Sequence, residues 1–171
     1  MTVLAASQPA PGLAVNRARL RDANINPVTG LATDYLNHFN EAIMMLELAP
    51  QMPDCIDDLC AWRPLSYCEH FAASGFKERE LAIAAYGMAA PGLRRRLDEL
   101  ADGMNAILLA TVAGMRGAEP DALSALADEA LGRLRPLVAR AGAVIHGAET
   151  AMDETADTDA TQAAVDALFE R

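Results

Sequence analysis

Aromatic side chains make up only 5% of the 171 residues. A core resting on alanine and leucine removes less apolar surface per residue than one built on large rings. A chain of this length can bury one ordinary hydrophobic core but not two well-sized ones, so a homodimer is expected as a supplement. Cysteine is limited to three residues, an odd number that cannot pair completely within one chain, and reduced thiols in a cytoplasmic setting are expected. Long apolar runs are missing: the longest, Ala106 to Met115, is ten residues and cannot cross a bilayer. The N-terminal MTVLAASQPAPGLA has no basic residue ahead of its apolar part, so neither a signal peptide nor a membrane partner is expected. Lysine is scarce and the net charge is -10, which repels a phosphate backbone. The one basic run, Arg94-Arg95-Arg96, lies beside Asp98 and Glu99 and reads as a solvated helix face, so no nucleic-acid partner is expected.

What remains is a helix-forming composition, rich in alanine and leucine and poor in β-branched residues, and the fold class expected is all-α. Residues 1–29, with Pro9, Pro11, Gly12 and Pro27, read as a loosely structured N-terminal arm in which Arg17 to Arg21 could form a turn. Residues 30–148 read as a helical bundle domain. Residues 149–171 carry seven of the 24 acids and read as a flexible acidic tether, ending in a short helix from Ala163.

Within the central domain, Tyr35, Leu36, Phe39, Ala42, Ile43 and Leu46 recur at helical spacing, predicting a helix over 34–48. Pro50, Pro53 and Pro64 divide the next stretch, with a turn or two around Cys55 to Ala61. Pro64 suits a first helical turn, giving a helix over 64–74 that Gly75 stops, and another spans 77–88. The cleanest stripe runs through Leu93, Leu97, Leu100, Met104, Ile107 or Leu108, then Thr111 and Met115, predicting a helix over 92–115. Leu123, Leu126, Ala130, Leu134, Leu137, Ala141 and Val144 predict its antiparallel neighbour over 120–146, with Pro136 as a kink. The architecture expected is an antiparallel bundle of about five helices.

Chemistry-bearing residues crowd between Tyr35 and Tyr86, which hold every cysteine and tyrosine, the tryptophan and two of three histidines. His38 with Glu41, adjacent Glu69 and His70, and His146 with Glu149 are His-Glu associations that facing helices could gather around iron, manganese or zinc. The spacing is His-x-x-Glu, however, whereas di-iron bundles use Glu-x-x-His. Cys55, Cys60, Cys68 and His70 offer a structural zinc alternative without the usual Cys-x2-Cys knuckle; as small core hydrophobes the thiols are more ordinary. A reactive Cys60 would need a cation such as Arg63 nearby. EHFAASGFKE bears a faint likeness to a histidine-phosphotransfer site, and Asp57, Asp58 or Glu69 could serve acid/base hydrolysis, although acids on short turns usually face water.

Trp62, Arg63, Tyr67, Phe71 and Phe76 are of the types that anchor protein interfaces, with core packing as the plainer alternative. The reading these features favour is a non-enzymatic regulatory or assembly protein. It would bind a protein partner through an aromatic-rich helical face and use no cofactor. The competing reading is a metal-dependent oxidoreductase on His38, Glu41, Glu69, His70, His146 and Glu149.

Overall fold

The computed structural model describes residues 16–148 apart from Pro53. The expected acidic tether with Glu149, and residues 1–15 of the expected arm, lie outside the described residues. Among the described residues the fold is an all-α, multi-helix bundle with no strand, only an isolated antiparallel bridge between Ile25 and Ala32. No described helix is long and apolar enough to cross a membrane.

Two long helices form its backbone: α6 over Pro91–Met115 and α7 over Pro120–His146. Each has a proline in its first turn, where the missing N–H would be unpaired anyway. The two apolar stripes meet. Leu137 packs against Gly103 and Leu126 against Gly114, so α7 ascends as α6 descends and the pair is antiparallel. Leu97, Met104 and Leu108 of α6 and Leu134, Ala141 and Val144 of α7 are fully enclosed. α7 runs through Pro136 without interruption and ends at Gly147, whose φ of 76° is the left-handed conformation glycine adopts most easily at a helix end.

The aromatic half is built from shorter pieces: a 3₁₀ turn over Thr33–Leu36, α2 over Asn37–Leu48, α3 over Cys55–Ala61, α4 over Tyr67–Ala73 and α5 over Arg79–Met88. α2 packs on both α7 and α3, while α4 and α5 pack on each other. α4 begins three residues later than Pro64 suggests. Ser66 and Glu69 form a capping box: the Ser66 N–H and hydroxyl donate to Glu69 Oε2 at 2.8 and 2.7 Å, and the Glu69 N–H donates to Ser66 Oγ at 3.3 Å. This reciprocal cap starts the helix at Tyr67.

Residues 16–29, assigned by the sequence reading to a loose arm, are packed here. Asn16 caps α1 over Arg17–Asp22 through a 2.9 Å bond from the Ala18 N–H, and Leu20, Ala23 and Ile25 are buried. Two contacts lock this segment down. The Thr29 hydroxyl donates to the buried carbonyl of Ile145 at 2.6 Å. Gly30, at φ 73°, lies where a Cβ would stand 3.0 Å from the Ala85 carbonyl oxygen, so a left-handed backbone and a close approach coincide at one residue.

Candidate functional site

The densest chemistry lies where the 3₁₀ turn, α2, the end of α3 and α4 converge. His38 of α2 stacks on Trp62, with ring centroids 4.7 Å apart and planes 22° from parallel, and the Trp62 indole N–H donates to the His38 carbonyl at 3.2 Å. Phe39 meets the same imidazole edge to face. His70 of α4 lies 5.9 Å from His38 between centroids, flanked by Tyr35 and Phe71. Its Nε2 stands 3.6 Å from Oδ2 of Asp34, whose other oxygen accepts from the Asn37 amide. The Nε2 atoms of both histidines are buried and reach no hydrogen-bond partner among the described residues. Burial chiefly, then the neighbouring His70, lowers the His38 pKa below the ordinary imidazole value; a bond with the Arg63 backbone opposes this.

The remaining residues singled out from sequence are dispersed. Glu41 is exposed. Glu69 is engaged in the cap, and the bonds from the Ser66 backbone and hydroxyl hold its carboxyl below the ordinary range. His146, the last residue of α7, is exposed and lines an open polar cleft of about 610 Å³ with Arg21, Asn24, Asn37 and Asn40. Among the described residues no three His, Cys, Asp or Glu side chains come together to hold a metal ion. Of the histidines singled out from sequence, His38 and His70 lie side by side, and His146 makes no ring contact with either.

The cysteines are free: Cys55 is buried, Cys60 and Cys68 partly so. Burial, then the charges of Asp98 and Glu69, raises the Cys68 pKa. Arg116 Nε donates to Cys60 Sγ at 3.4 Å, whereas Arg63, the expected neighbour, donates instead to the carbonyls of Cys60 and Trp62 at the end of α3. His70 is partly buried, with its ring flanked by Tyr35 and Phe71.

Comparison with known proteins supplies no relative: no family model, curated protein or solved structure matches the chain.

The large side chains of the aromatic block point inward. Trp62, Tyr67 and Phe71 are 8%, 1% and 0% exposed, so in this conformation they belong to the core. Tyr67 stacks on Tyr86 at 4.6 Å and accepts the Ala32 N–H at 2.9 Å, Phe71 packs on Tyr67 and Phe76, and Tyr35 donates to the Leu65 carbonyl. The alanine-rich helices leave space that the block's rings fill. Tyr86 in turn donates to the Asp98 carboxylate and lies under the Arg94 guanidinium.

The exposed apolar residues are elsewhere. Met44, Leu48 and Met52 are 54%, 39% and 52% exposed and follow one another at intervals of four along the outer side of α2 and the turn after it. Their spacing was visible in the sequence as a second apolar line on this helix, overshadowed by the core line through Phe39, Ala42 and Leu46. Asp34, the missed partner of His70, stands four residues before His38 in the same way.

Proposed function

We propose that this chain is a non-enzymatic regulatory or assembly component that binds a protein partner, and that the partner docks on the outer face of α2 rather than on the aromatic block. One observation carries the reading: the line of Met44, Leu48 and Met52, whose side chains find no place in the core although α2 is otherwise well packed through His38, Phe39, Ala42 and Leu46. Helix-spaced methionine and leucine on a surface suit the recognition of another helix, because methionine repacks readily against partners of different shape.

The test is site-specific photo-crosslinking in cells of the source organism. A photoreactive residue at Leu48 is expected to trap a discrete protein, and the same residue at Arg95, exposed on α6, is not. Identical products at both positions, or none at position 48, overturn the reading.

A further inference from the structure

Resting on that reading, we infer that the segment received by the α2 face is a basic amphipathic helix of a different protein. Charge is the argument. Between Arg21 and Arg63 the sequence contains no lysine or arginine, while carboxylates stand at Glu41, Glu47, Asp54, Asp57 and Asp58. All five are exposed. Glu41 and Glu47 lie three residues either side of Met44 and are therefore its neighbours on the helix surface. The aspartates belong to α3 and the residue before it, and α3 packs directly against α2. Arg135 of α7 reaches this rim beside Met44 and Leu48, where Glu47 engages it at 2.5 Å, while Arg63 and Arg116 stand at the Cys60 end of α3.

An apolar line edged by carboxylates matches a helix with an apolar face edged by lysine or arginine, which steers the encounter and fixes the direction of docking. It matches other occupants poorly. A second copy meeting this face about a twofold axis would set carboxylates against carboxylates. An anionic membrane surface would be repelled by the same groups.

The experiment uses the full chain and two synthetic amphipathic peptides several turns long, one of leucine and lysine, the other of leucine and glutamate. Binding is followed by calorimetry and by amide shifts in α2. The leucine-lysine peptide is expected to bind, and Met44→Ser or Leu48→Ser to weaken it by about tenfold or more. Glu41→Gln with Glu47→Gln is expected to weaken it further and flatten its salt dependence, more than Asp121→Asn at the far end of α7 does. Far-ultraviolet dichroism confirms that each variant is folded, and Met44→Gln is the substitute where serine unfolds the helix. Binding indifferent to Leu48→Ser is general charge attraction and overturns the inference, as does equal affinity for the acidic peptide. Self-association that Leu48→Ser dissolves would assign the face to a second copy and likewise overturn it. If position 48 cross-links to a protein in cells but the basic peptide does not bind, the partner chemistry is wrong while the protein-binding reading survives; loss of the cross-link itself removes that reading.

Discussion

His38 illustrates how one residue can be structural and titratable at once. Its imidazole is 7% exposed, stacked on Trp62 and near His70. The native state therefore resists protonating it, whereas the unfolded chain takes up that proton below about pH 6.5. Where the unfolded state binds more protons, stability rises with pH. The contribution of neutral His38 is thus complete above the ordinary imidazole range and is lost as pH falls through it toward the depressed native value. The neighbouring His70 adds to the effect of burial on His38, while the Arg63 backbone opposes it. The melting temperature is expected to fall between about pH 7 and 5, and to fall less steeply in His38→Gln. Equal slopes would show that His38 is not responsible.

The buried phenols make a second comparison at this scale. Removing the Tyr67 hydroxyl strands the buried Ala32 N–H, so Tyr67→Phe is expected to cost about 1–3 kcal/mol by urea denaturation. Tyr35→Phe is expected to cost less, about 0.5–1.5 kcal/mol, because the Leu65 carbonyl it leaves is only partly buried and can turn to water.

At the scale of elements, the sequence was most legible where periodicity and punctuation agreed. The bounds 92–115 and 120–146 fall within a residue of Pro91–Met115 and Pro120–His146, because a long apolar stripe between a proline and a glycine leaves little freedom. It was least legible in short segments, where one local bond outweighs periodicity. The Ser-x-x-Glu cap at Ser66 set the start of α4 against the expectation from Pro64, although its signature was present. Residues 16–29 misled for a different reason: Thr29 and the adjoining Gly30 are held against Ile145 and Ala85, which no local window contains. The site suffered from the same limit. Residue type marked Trp62, Tyr67 and Phe71 equally well as anchors or as core, and only the meeting of distant helices decides between them.

The glycines of these elements give opposite expectations. Gly103 sits inside α6 with room for a Cβ at 3.8 Å from Leu137, so Gly103→Ala is expected to stabilise the protein by about 0.5–1 kcal/mol through helix propensity and added contact. Gly30→Ala is expected to destabilise it, since both its backbone conformation and the Ala85 carbonyl oppose a side chain. Thermal melts of the two variants should move in opposite directions.

For the whole molecule the question is whether the aromatic half and the α6–α7 hairpin are one cooperative unit or two. The buried residues form a single cluster in which Leu20 and Ile25, the rings of the short helices and the hairpin's leucines are continuous. α2 and the 3₁₀ turn both pack on α7, and α3 packs on α6. Neither half has a closed core of its own: α2 packs on α7, and without the 3₁₀ turn the face of α7 near Gly142, which Leu36 contacts, is opened to water. One transition is therefore expected. The only tryptophan lies in the aromatic half, and the two longest helices dominate the far-ultraviolet signal, so the two probes report different halves. Trp62 fluorescence and dichroism should give coincident urea curves. Thr29→Val, which strands the Ile145 carbonyl, should shift both together by about 1–3 kcal/mol. A shift in dichroism alone would mean that the hairpin stands independently and that the N-terminal segment is fastened to it rather than to the whole.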